Sequence, residues 1–155
     1  MTPLYGWGER SSRVYDYVPD ARFERTSIIS TLGKEGFEAT LTFKGTLNRD
    51  GFEIYIQNYL VPTLKFGDIV VMDNSSVHKA KGVLQSIFDK GATVLFLPVY
   101  SPDFNPIELA WSKMKTTLRK LKARTSETLE KALLIALASI TKDDITNYFS
   151  HNGYL

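Results

Sequence analysis

A mixed α/β sheet with flanking helices is the fold class this sequence predicts, on three observations. Two short apolar runs, Ile69-Val70-Val71-Met72 after Asp68 and Thr93-Val94-Leu95-Phe96-Leu97, are rich in β-branched residues, as strands covered on both faces of a parallel sheet are. Segments of helical period lie between them and after them. Earlier in the chain, two strand-like stretches flank the turn Gly33-Lys34-Glu35-Gly36 and read as a hairpin. A hairpin followed by helix, strand, helix, strand and helix is an α/β sheet with helices on both faces.

The elements follow in order. Residues 1–21 are irregular, with Pro3, Gly6, Gly8 and Pro19 among aromatics. Residues 22–32 form the first hairpin strand and 37–43 the second. Asn48 or Asp50 caps the next helix, whose apolar face is Phe52, Ile54, Tyr55, Tyr59 and Leu60, up to Pro62. The strand 68–72 ends on Asp73, with turn formers Asn74, Ser75 and Ser76 behind it. A helix over 78–90 buries Val83, Leu84, Ile87 and Phe88 until Gly91 stops it, and 93–97 returns as a strand. The loop Tyr100-Ser101-Pro102-Asp103-Phe104 leads to Asn105 as N-cap and Pro106 at the first helical position. That helix carries Trp111, Met114, Leu118 and Leu121 on one side. Thr125 or Ser126 starts another helix, with Leu129, Leu133, Ala136 and Ile140 on one stripe. A short helical turn over 143–149 and the tail His151-Asn152-Gly153-Tyr154 close the chain.

At 155 residues the sequence predicts a single domain over 1–155 that needs no staples. It has no cysteine, which excludes disulfides, thiolate zinc sites and a cysteine nucleophile. No apolar run is long enough for a membrane span and no signal-peptide pattern opens the chain, so the reading is a soluble, cytoplasmic protein without a membrane partner. A net charge of +2 says little, but its distribution says more. Lys113, Lys115, Arg119, Lys120, Lys122 and Arg124 fall within one stretch that contains no acid. This is either a solvated helix face or a stripe that meets phosphates.

Two carboxylates stand out. Asp73 ends a strand, where ligands of open α/β sheets collect, and Glu108 sits in the first turn of a helix, with 34 residues between the two. Each has a plain structural explanation. Asp at a strand end often caps the next turn, and Asn105-x-x-Glu108 spells a capping box. Together, fixed on rigid elements, they form a pair suited to Mg2+ or Mn2+, and two such ions activate water and stabilise the leaving oxygen of a phosphodiester. His78, Asn74 and Tyr100 are accessory candidates. His78 also reads as a solvated residue at a helix start, Tyr100 as a packing residue, and Trp111 as core before base-stacking platform.

The stretches Met72-Asp73-Asn74-Ser75-Ser76-Val77-His78 and Leu97-Pro98-Val99-Tyr100-Ser101-Pro102-Asp103-Phe104-Asn105-Pro106-Ile107-Glu108 resemble the DDE transposases of the mariner superfamily, in their bacterial insertion-sequence branch. The resemblance extends through Trp111-Ser112-Lys113-Met114-Lys115, the closing Tyr148-Phe149-Ser150-His151-Asn152-Gly153-Tyr154, and back to Tyr5-Gly6-Trp7. It implies a ribonuclease H-like fold and cutting and joining of DNA with two magnesium or manganese ions. Asp73 would be the second acid of the family's triad and Glu108 the third. Lys113, Lys115, Arg119, Lys120 and Lys122 would meet DNA, both transposon ends and target, in a homodimer that is nucleoid-associated when bound.

The same resemblance implies a departure. The family's first aspartate ends a strand just upstream of the Tyr-Gly-Trp segment, and this chain starts only a few residues before it. The first, central strand is therefore expected to be missing, leaving a gap between the hairpin and the Asp73 strand. The expectation is that the gap closes by self-association or by pairing of residues 13–18, whose Asp16 is a poor replacement acid. A chain with two of three acids is expected to cut DNA weakly or not at all. The rival reading is a non-catalytic remnant serving as a DNA-binding or oligomerisation module; a branched-DNA resolvase of the same fold is a third.

Overall fold

The hairpin forms first in the chain: β1 (Thr26–Gly33) and β2 (Gly36–Lys44) pair antiparallel from Thr26↔Lys44 to Gly33↔Gly36. Lys34 and Glu35 make the two-residue turn, and Gly36 takes φ +141°, a conformation that side chains disfavour. Between Ile29↔Leu41 and Thr31↔Glu38, β2 carries one extra residue, a bulge in which Ala39 sits at φ +49°. Ser30 ties it down through bonds to the Glu38 carbonyl and the Thr40 hydroxyl. The computed structural model describes residues 6–15, 25–123 and 125–155, so the expected strand residues 22–24 and Asp16, Tyr17, Val18 and Arg124 lie outside the described residues.

Helix α1 (Arg49–Tyr55) is capped by the Asn48 side chain, which accepts from Gly51 N at 2.8 Å. It runs on through a π turn (Ile56–Leu60) and a 3-10 turn (Val61–Thr63) that ends after Pro62, since proline cannot continue the ladder. β3 (Ile69–Met72), α2 (Lys81–Asp89) and β4 (Thr93–Phe96) form a βαβ unit, with β3 and β4 parallel and in register from Ile69↔Thr93 to Met72↔Phe96. Gly91, at φ +80°, turns the chain out of α2 into β4. Three more helices follow: α3 (Pro106–Leu121), α4 (Ser126–Ala138) and α5 (Lys142–His151). Thr125 and Thr141 cap α4 and α5 with reciprocal boxes to Thr128 and Asp144.

Alternation along β1 divides the core. Ile29 packs on a cluster built from α1, β3 and α2, in which Ile56, Val83 and Ile87 are almost fully buried. Its neighbour Ile28 points to the other layer, against Met114 and Leu118 of α3 and Leu133 and Ala136 of α4. Each of the large buried side chains contributes about 1.5–3 kcal/mol relative to exposure. The predicted apolar faces hold in outline, but Phe88 of α2 and Ile54 of α1 face solvent. β4 is not covered on both faces either, because Leu95 is exposed.

Among the described residues β1 pairs with β2 alone and β3 with β4 alone, giving two two-stranded sheets. A cavity of about 840 Å³ lies between them, lined by residues 28–33 of β1 and 69–72 of β3. The cavity lies between the hairpin and the Asp73 strand, and no described residue pairs across it. Arg13, Val14 and Tyr15, the described part of the candidate replacement strand, have no regular structure. Among the described residues, no helix is long and apolar enough to cross a membrane.

Candidate functional site

Asp73 follows the last residue of β3, and its carboxylate is oriented from two directions. Oδ1 accepts from the Ser75 amide at 3.0 Å and lies 2.7 Å from His78 Nδ1, which also approaches the Asp73 carbonyl at 3.4 Å. The first bond is the turn cap expected of an aspartate at a strand end. The second was not foreseen, and it moves an element boundary. Residues 76–79 form turns, Ala80 is extended at ψ 135°, and α2 starts at Lys81 rather than at His78. His78 is not a solvated helix-start residue: its ring stacks on Phe52 at 4.5 Å and its side chain is only 24% exposed. The Asp73 carboxylate itself is 65% exposed, open to a further partner.

Glu108 arrives from α3. The capping box spelled by Asn105-x-x-Glu108 does not form, since Asn105 makes no side-chain cap bond. Pro106 starts the helix without it, and the Glu108 carboxylate is exposed. The preceding loop turns sharply, with Tyr100 at φ +57°, an uncommon conformation for a bulky residue that is concentrated at functional sites. Its side chain is 98% exposed, so it does not pack. The tail holds this loop: Tyr154 Oη donates to the Phe104 carbonyl at 2.9 Å and Asn152 Nδ2 donates to the Asp103 carbonyl. Sequence reading missed this role of the tail.

Asp73, Asn74, Ser75, Tyr100, Asn105 and Glu108 all line one cavity of about 340 Å³. Asn74 Oδ1 is buried there without a hydrogen-bond partner among the described residues, an arrangement that costs about 1–3 kcal/mol unless something is bound to it. Two carboxylates and an orphaned amide oxygen make an all-oxygen donor set, which fits a hard divalent cation completed by water. Among the described residues no third carboxylate or imidazole completes a metal-binding cluster with them.

The basic residues of α3 divide into two sets. Lys113 is half-buried and donates to Asp144 of α5 at 2.5 Å. With the Thr141 amide and hydroxyl also bonding Asp144, its carboxyl is held down at about 2. Lys115, Arg119, Lys120 and Lys122 are exposed. Lys115 lies seven residues, two turns, beyond Glu108 and hence on the same side of α3; Arg119 is one turn further. Lys113 lies on the opposite side. Trp111 is partly buried and packs in a tilted arrangement on Phe37, ring centroids 5.0 Å apart, as a packing residue does.

No curated protein matches the sequence. Solved structures do. Over 96% of this chain and 46% of the other, the fold matches the Mos1 strand transfer complex at 19% identity with a TM-score of 0.77. A Mos1 transposase paired-end complex with the left transposon end matches over the same shares at 18% identity and a TM-score of 0.72. The chain thus spans about half the length of these proteins, and its two half-sheets with flanking helices share their ribonuclease H-like α/β fold. The family model of the DDE superfamily endonucleases, enzymes that generally use divalent metals, matches residues 1–130, and the chain belongs to that family.

Proposed function

We propose that this chain, as one domain over 1–155, is the catalytic part of a DNA transposase that cleaves and joins strands with Mg2+ or Mn2+. The observation that carries this reading is the shared cavity. A strand end and a helix first turn, separate in sequence, bring Asp73 and Glu108 to one opening together with the unpartnered Asn74 oxygen. Asp73 and Glu108 would hold the metal, with Asn74 beside them and His78 fixing the Asp73 rotamer. When bound, such ions activate an attacking oxygen and stabilise the leaving one. Water attacks the phosphorus of one strand and the P–O3′ bond breaks, releasing a 3′ hydroxyl and a 5′ phosphate. That hydroxyl then attacks a target phosphodiester, forming a new P–O3′ bond as the target's own P–O3′ bond breaks and its 3′ oxygen leaves as a hydroxyl. Lys115 and Arg119, on the Glu108 side of α3, neutralise backbone phosphates leading into the site, with Lys120 and Lys122 beyond them. Exposed Tyr100 meets the substrate at the rim.

The partners in this reading are transposon ends and target DNA, the assembly is a homodimer, the compartment is the cytoplasm, and the branch is that of bacterial insertion sequences. The test is Mn2+ titration of the purified chain alongside nicking of plasmid DNA. Asp73→Asn and Glu108→Gln should each abolish Mn2+ binding at the site and any residual nicking. Unchanged Mn2+ binding in both variants would reject the assignment.

A second reading rests on the exposed basic residues Lys115, Arg119, Lys120 and Lys122: a non-catalytic DNA-binding module. Salt-sensitive DNA binding that needs no metal, without nicking, would select it.

A further inference from the structure

We propose that Lys79 is a second phosphate anchor of the candidate site. It grips the DNA backbone on the side of the Asp73–Glu108 opening away from Lys115 and Arg119, so that the strand to be cut is held on both flanks. This rests on the DNA reading given above and adds to it a residue outside the basic stretch of α3.

Placement comes first. The turn over 76–79, which sets His78 against Asp73, leaves Lys79 at its end and exposed. The Lys79 ammonium lies 5.6 Å from the centre of the Phe96 ring. Phe96 is the last residue of β4, and Leu97, next in the chain, lines the cavity shared by Asp73 and Glu108. The charge therefore stands at the carboxyl end of the parallel pair, where that cavity opens. Phe96 packs against the cluster of α1 and α2, whereas Lys115 and Arg119 ride on α3, which builds the other layer. The opening thus has a cation in each layer, one on either side of the sheet.

The chemistry then selects this lysine. A free lysine side chain loses rotamer freedom when it binds; one already seated on an aromatic face has given up part of it beforehand. The Phe96 face attracts the ammonium without neutralising it, and among the described residues no carboxylate pairs with it. Lys81, two residues on, is less suited. The Glu53 carboxylate lies so close to Gly82 that a Cβ there would collide with it, which puts a negative charge at the first turn of α2. What Lys79 fits is an oxyanion at the rim of the opening. A nucleic-acid backbone crossing that opening offers one phosphate to each layer while a third occupies the site between them.

The test measures binding of a short DNA duplex across a range of salt, without divalent metal so that nothing is cut. Lys79→Ala should make the fall of log affinity with log salt shallower by about 1, as loss of one phosphate contact does, and Lys79→Arg should restore it. Lys79→Ala combined with Lys115→Ala should make it shallower by about 2, because both cations meet the same duplex. The Mn2+ affinity and melting temperature of Lys79→Ala should match those of the unaltered chain, which separates a phosphate contact from a structural role. If Lys115→Ala changes the slope while Lys79→Ala does not, or the double variant goes no further than Lys115→Ala alone, the proposal is overturned and the nuclease reading stands. A lower melting temperature in Lys79→Ala overturns it too. A slope that no variant alters, with Mn2+ binding that survives Asp73→Asn, overturns both.

Discussion

His78 Nδ1 lies 2.7 Å from Asp73 Oδ1 while its ring lies on Phe52, so an aromatic side chain of α1 supports the residue that contacts a carboxylate at the end of β3. Partners that orient a metal-binding carboxylate typically account for 10–100-fold in affinity. His78→Ala should weaken Mn2+ binding by about tenfold or more, and His78→Asn should restore part of it. Calorimetric titration of Mn2+ checks this; equal affinity in wild type and His78→Ala would show that Asp73 needs no such support.

The two sets of basic residues should separate by experiment. Lys115→Ala and Arg119→Ala should each lower the slope of log affinity for duplex DNA against log salt by about 1, because each removes a phosphate contact. Lys113→Ala should leave that slope unchanged and lower the melting temperature instead, since its ammonium is bonded to Asp144.

Asp144 carries an acid-dependent part of the stability. Its folded pKa, about 2, lies below the ordinary 3.8, so the group stabilises the fold above about pH 4. That contribution is lost as pH falls through about 2. Asp144→Asn keeps an acceptor for the Thr141 amide but removes the charge. Its thermal stability should be lower by a few degrees at pH 7 and should depend less on pH between 4 and 2.

Tyr154→Phe removes the bond to the Phe104 carbonyl and should cost about 1 kcal/mol. Its more specific effect should be faster amide exchange at Phe104 and Asn105, with α4 unchanged. If exchange rises equally throughout, the tail is merely part of the core.

What could be read from the sequence was governed by range. The strand ending at Asp73, the Pro106 helix start and the Thr125 cap depend on neighbours within a turn, and all three are present. Misreadings came where a distant group intervened. The start of α2 shifted by three residues because His78 turns back to Asp73. The capping box at Asn105 matched in letters but did not form. The bonds from Asn152 and Tyr154 join residues 49 and 50 positions apart, for which no local pattern exists. The pairing of Lys113 with Asp144, 31 positions apart, likewise could not be told from a uniform basic stripe.

The alternation of Ile28 and Ile29 gives the hairpin a mechanical role. The cluster on α1 and α2 and the cluster on α3 and α4 have no buried residue in common, and β1 supplies a side chain to each. With no ladder joining the half-sheets among the described residues, this strand is one hinge pin between the two layers. Chemical denaturation should therefore proceed in two stages, one layer loosening before the other, and a change at either isoleucine should alter the interval between them.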